Sequence, residues 1–161
     1  MELPAVTAAN LDDDDDDDAV DLGQVGFARL ESVAPGGKVL WFRLEALHDA
    51  WLTVQSAAQW TSDQLALELY DPAHRETPLA ASNPSDAVPR LDYLVKKGQA
   101  WLLRVSGTAS DVTLLLANLV HRAGSAVTVH GTSGADEFVF DGAASREITI
   151  NGVAYRYENT E

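Results

Sequence analysis

Seven consecutive aspartates, Asp12 to Asp18, are the most chemically loaded stretch of this chain, and Asp21 follows them closely. Carboxylate oxygens are what a hard divalent cation such as calcium binds, but calcium needs six to eight oxygens held in a fixed shell. Adjacent like charges repel, and long runs of them are usually solvated tails. Within the run, the members nearest the apolar sequence, Asp17 and Asp18, together with Asp21, are the expected ion ligands. A second acidic candidate, Asp136, lies in Gly131-Thr132-Ser133-Gly134-Ala135-Asp136-Glu137-Phe138, where glycines at fixed offsets precede a carboxylate and an apolar residue. The third set is aromatic. Trp41, Trp51, Trp60 and Tyr70 fall on the polar-facing positions of alternating segments or in loops, and rings so placed can stack on sugars or peptides.

The signs of catalysis are sparse. His48, His74, His121 and His130 show no metal-ligand spacing, no serine sits in a Gly-x-Ser-x-Gly elbow, and no glycine-rich phosphate loop leads from a strand into a helix. Asp136 and Glu137 are adjacent, so in an extended chain they point to opposite sides and cannot converge on one substrate. The chain is expected not to be an enzyme.

Composition narrows the class further. The 161 residues are 46 % apolar and 22 % charged, as in a globular domain, and the net charge is −14. More than half of that charge lies in the first 21 residues, so the acidity belongs to the leader. Clustered Lys and Arg of the kind that bind phosphate are lacking, which argues against nucleic acid. There is no cysteine, hence no disulfide frame or thiol chemistry. No stretch reaches the ~20 apolar residues of a membrane span, and the first residues lack the basic and apolar regions of a signal peptide. Met1 followed directly by linker-like sequence suggests a module cut from a longer polypeptide.

The elements that would position these residues read as strands, because apolar residues recur at every second place. In KVLWFRLEA, Leu40, Phe42 and Leu44 share one side and Trp41, Arg43 and Glu45 the other. DAWLTVQSA pairs Leu52 with Val54, and LALELYDP aligns Leu65, Leu67 and Leu69 before stopping at Asp-Pro. RLDYLVKKGQAWLLRVSG predicts two strands joined as a hairpin through Lys96 to Gln99, with Trp101 in the core. Asp111 to Val120 is almost continuously apolar, as a central strand would be. His74 to Arg90, rich in proline, predicts a long loop with one short edge strand at Leu79 to Ala81. Strands of this number are buried most economically as two stacked sheets.

The order of these segments resembles a known family. DDDDAVDLG, GGKVLWFRLEA, DQLALELYDP, VKKGQAWLLRVSG and DVTLLLANL follow, over about residues 12–119, the pattern of the bacterial pre-peptidase C-terminal domain. The resemblance implies an all-β fold, an antiparallel β-sandwich of jelly-roll type. It implies a non-catalytic structural or accessory module of a larger secreted bacterial protein, located outside the cell or at its surface. It also implies two possible ligands, calcium and an extracellular polymer, because some members bind calcium and the collagenase branch binds collagen. In calcium-binding relatives, two acids before the Trp-Phe pair complete the site. Here Lys38 and Leu40 stand in that loop. The alternative function is thus a calcium-assisted binding module for a protein or polysaccharide, using Trp41, Trp51, Trp60 and Tyr70.

Beyond Val120 the composition shifts. The Gly131 to Phe138 segment is similar to a single turn of the calcium-loaded parallel β-roll repeat. One turn supplies half an ion site, with Asp136 as its acid. Asn151-Gly152, set between Ile148, Ile150 and Val153, is the strongest hairpin signal in the chain. The expected organisation is an acidic disordered leader over 1–18, the sandwich over 19–120, and a short β appendage with a hairpin over 121–161.

Overall fold

A computed structural model describes residues 19–124, 126–141 and 147–156 of the chain. The acidic run, Asp17 and Asp18 included, lies outside the described residues. Contacts divide the chain into two units, Met1–His130 and Gly131–Glu161. Among the described residues the regular structure is all strand.

The first unit holds β1 (Val20–Val25), β2 (Phe27–Val33), β3 (Val39–Ala46), β4 (Ala50–Ser56), β5 (Ala66–Tyr70), β6 (Ala80–Ala81), β7 (Arg90–Val95), β8 (Ala100–Ser106), β9 (Val112–Ala123) and β10 (Ala126–Val129). They form one sheet in the order β1-β3-β8-β5-β6 and a second in the order β10-β9-β4-β7, with β2 also paired to β9. The alternation explains why the two stack. Leu40, Phe42 and Leu44 of β3, Leu67 and Leu69 of β5, and Leu103 and Val105 of β8 share one core with Leu30, Leu52, Val54, Leu91, Leu114 and Leu116 from the other sheet. Phe42, at 0 % exposure, is the largest of these side chains. Truncating a residue so enclosed costs about 3–5 kcal/mol, because the void cannot fully collapse. Trp101 joins the core as its alternation with Leu103 and Val105 requires, its ring 5.5 Å from that of Tyr93 in an edge-on contact.

Three features differ from the sequence reading. β7 and β8 do not form a hairpin: β7 pairs with β4, whereas β8 pairs with β3 and β5. The four residues from Lys96 to Gln99 therefore carry the chain from one sheet to the other. A hairpin-length loop with a left-handed glycine, Gly98 at φ 82°, suits either use. The sandwich is not wholly antiparallel, since β1 runs parallel to β3. Leu22 and Gly23 lie inside β1 at an irregularity between Asp21 and Gln24. Third, the division between units falls after His130, not Val120. β9 continues to Ala123, and β10 folds back on it with Ala126 opposite Ala123 and Val129 opposite Val120.

One close approach fixes the end of β8. At Gly107, φ is 127° and an added Cβ would lie 2.2 Å from the Gln64 carbonyl oxygen, so only glycine fits.

The second unit is a three-stranded sheet of β11 (Phe138–Asp141), β12 (Glu147–Ile150) and β13 (Val153–Arg156). Asn151 and Gly152 take φ of 50° and 86° between β12 and β13, the two left-handed residues that a tight hairpin turn demands. Ile150, Val153 and Tyr155 are buried, whereas Phe138 and Phe140 of the edge strand are exposed.

Candidate functional site

The outward side of the β1-β3-β8-β5-β6 sheet brings two of the four aromatic candidates together. Residues alternating with the core set face away from it, and register aligns them in rows: Trp41 opposite Arg104 opposite Glu68, then Arg43 opposite Leu102 opposite Tyr70. Trp41 and Tyr70 are thus diagonal neighbours across β8, with ring centroids 5.5 Å apart and planes tilted by 57°. Between them Arg104 Nη1 donates to Glu68 Oε2 at 2.5 Å. Both partners are partly screened from solvent, so the pair contributes about 1 kcal/mol rather than the several of a buried one. Burial, and secondarily the Glu68 carboxylate, hold the Tyr70 hydroxyl above its ordinary pKa, so the ring stays neutral.

This surface is less open than the alternation suggests. Tyr70 is only 8 % exposed and Trp41 is half-buried, its indole Nε1 enclosed without a hydrogen-bond partner. The other two candidates lie elsewhere. Trp51, half-buried on β4, stands opposite Leu94 of β7 and Val120 of β9 in the second sheet. Trp60 packs against the core from the loop after β4, where its backbone N–H donates to the Ala87 carbonyl at 3.0 Å. Near it, on β4 and β7, polar residues satisfy one another. Thr53 Oγ1 donates to Asp92 Oδ1, and Arg90 bridges both Asp92 oxygens and Gln55 Oε1.

The acidic candidates are likewise occupied with structure. Asp21 is exposed on β1, and its Oδ1 accepts the Gly23 N–H at 2.8 Å, which steadies the strand irregularity. In the second unit, Asp136 Oδ1 accepts from Asn151 Nδ2 at 3.0 Å and from Thr132 Oγ1 at 2.8 Å, while Oδ2 accepts the Thr132 N–H at 2.8 Å. The Asn151 amide, then the two Thr132 donors, hold the Asp136 pKa below its ordinary value by stabilising the charged form. Asn151 Oδ1 in turn accepts the Glu137 N–H, and the Asn151 N–H donates to the Glu137 carbonyl. The β-roll-like segment is therefore a staple that ties the Gly131 to Asp136 loop to the β12–β13 turn.

Calcium would need more oxygen than these groups leave. Among the described residues no three histidines, cysteines, aspartates or glutamates are grouped as a metal would require. Lys38 is exposed, and Leu40, with 1 % exposure, belongs to the core, so that loop offers no carboxylate. The described residues do not fit a calcium shell.

Two arrangements escaped the sequence reading. His48 and His130, which are 82 residues apart, stack with ring centroids 4.0 Å apart and planes 4° from parallel. The topology makes this contact: β10 returns along β9 and leaves the His130 N–H donating to the Leu119 carbonyl. No local spacing announces it. Asn118, fully buried, occupies the point where β9 slips register against β4. Its Oδ1 accepts the His48 N–H at 2.7 Å, and its Nδ2 points at the Ala50 and Trp51 carbonyls, each 3.4 Å away. An asparagine within Leu-Leu-Leu-Ala-Asn-Leu-Val was its only signal.

No protein-family model matches the chain, and no curated protein does. Solved structures of similar fold exist. The pre-peptidase C-terminal domain of collagenase from Bacillus anthracis has a TM-score of 0.44 and 12 % identity, covering 62 % of this chain and 92 % of that domain. A periplasmic inhibitor of g-type lysozyme from Aeromonas hydrophila has a TM-score of 0.42 and 14 % identity, covering 62 % of this chain and 97 % of that protein.

Proposed function

We propose that the chain is a non-catalytic structural or accessory module of a larger secreted bacterial protein, working outside the cell or at its surface. The observation that supports this reading is how the ionisable groups are used. Glu68 holds Arg104, Asp92 holds Arg90 and Thr53, and Asp136 holds Thr132 and Asn151. Each of these three carboxylates is engaged by donors of the fold, whereas a general acid or base must be free to exchange a proton with substrate.

The Trp41–Tyr70 pair favours a second reading, in which the outward sheet binds an extracellular protein or polysaccharide. The half-buried Trp41 ring beside Arg104 gives a small stacking surface with a charged rim, Tyr70 being buried against it. Calcium assistance in that reading would draw on Asp17, Asp18 and Asp21. Co-sedimentation with insoluble collagen, chitin and cellulose separates the two readings. The structural reading expects the full chain to stay in the supernatant with every polymer. Saturable pelleting with one polymer, lost in Trp41→Ala but retained in Trp51→Ala, would replace it with the second.

A further inference from the structure

At one end of the sandwich an open recess of about 420 Å³ is lined by Asp49, Leu94, Val95, Lys96 and His121. None of the acidic or aromatic candidates lines it. Its origin is the register. β4 begins at Ala50, which pairs with Val95, and Trp51 pairs with Val120. The flanking chains run on to Lys96 and His121, so no strand separates those two residues.

Its walls differ in character. Leu94 is 53 % exposed and supplies an apolar side. The His121 ring supplies another side, its Nδ1 enclosed without a hydrogen-bond partner. The Lys96 backbone N–H is taken by Gln99 Oε1, but its ammonium makes no ion pair among the described residues. Asp49, the single carboxylate of the lining, already accepts the Lys97 N–H through Oδ1. His48 adjoins Asp49 in sequence, and His130 stacks upon it. Two of the three lysines and three of the four histidines of a chain with net charge −14 thus belong to this end.

We propose that the recess binds a carboxylate carried on a small apolar group. The carboxylate accepts from the Lys96 ammonium, and the apolar body lies against Leu94 beside the His121 ring. Charge-assisted donors of this kind favour an anion over a neutral isostere, and the volume is that of small-molecule sites. A free branched-chain acid and a peptide C-terminus ending in leucine share this chemistry.

The test is an NMR titration of the full chain with isovalerate, following the His121 ring and Leu94 methyl signals. Saturable shifts are expected with isovalerate and none at the same concentration of isovaleramide. Lys96→Met, an exposed change that leaves the fold intact, is expected to weaken binding about tenfold. A parallel titration with acetyl-Gly-Leu assigns the source: tighter binding than isovalerate supports a peptide C-terminus, weaker binding a free acid. Absence of saturation with either acid, equal shifts with the amide, or unchanged affinity in Lys96→Met would each overturn the proposal.

Discussion

Asn118→Leu is the substitution that probes the frame of the sandwich most sharply. Leucine repeats the branched outline of asparagine with a larger volume, so no cavity opens, and the backbone bond from the Asn118 N–H to the Gly26 carbonyl at 2.6 Å remains. What disappears is the acceptor 2.7 Å from the His48 N–H, together with two longer approaches to the Ala50 and Trp51 carbonyls. A donor enclosed without its partner costs about 1–3 kcal/mol, and the 3.4 Å contacts are too long to add much. The expected loss is therefore about 2 kcal/mol. For a unit of this size that lowers the thermal midpoint by about 6–10 °C. Urea unfolding followed by tryptophan fluorescence gives the free energy directly, with an unchanged m-value if the unfolded state is unaffected. A variant within about 0.5 kcal/mol of the parent would refute the reasoning, since it would mean that the His48 N–H finds water at no cost.

Three further outcomes are expected. Burial, then the neighbouring His130 and Lys97, hold the His48 pKa below its ordinary 6.5, so the folded chain resists a proton that the unfolded chain accepts. Stability from this source is complete above pH ~6.5 and declines as the pH falls below it, and His48→Gln flattens that slope in urea midpoints measured between pH 5 and 8. Asp136→Ala removes three acceptor contacts from the second unit, and faster amide exchange at Thr132 and Asn151 than in the parent is the readout, with the first unit unaffected. Thermal melts with and without chelator should agree within about 1 °C, because a cation bound only by the folded chain must raise its midpoint. A calcium-dependent rise would instead show that residues of the acidic run complete a site.

The strand faces were legible because a period of two leaves little freedom once one side is buried. Leu40, Phe42 and Leu44 could share the core in only one register. Asn151-Gly152 was legible for a related reason, since few dipeptides accept two left-handed residues in succession. Pairing was not legible. The same Lys96 to Gln99 loop can close a hairpin or cross between sheets, and the choice depends on partners 35 or more residues distant, as for Gln55 and Arg90. Alternation placed Trp41 and Tyr70 on the outward face, but it could not show that their contact would bury Tyr70. Asp136 illustrates the same limit for the site. Its spacing from Gly131 and Gly134 is that of an ion-binding turn, whereas its actual donors come from Thr132, nearby, and from Asn151 on a different turn. The recess and the His48–His130 stack are products of strand register and of β10 doubling back, which no short motif encodes.

The central claim is that Glu68, Asp92 and Asp136 serve the fold and not a reaction. Its most direct test is turnover by the purified full chain across chromogenic peptide, ester and glycoside substrates. The account predicts rates equal to the buffer blank for all of them. Turnover that co-elutes with the folded chain and disappears in Glu68→Gln or Asp92→Asn, with the thermal midpoint preserved, would contradict it.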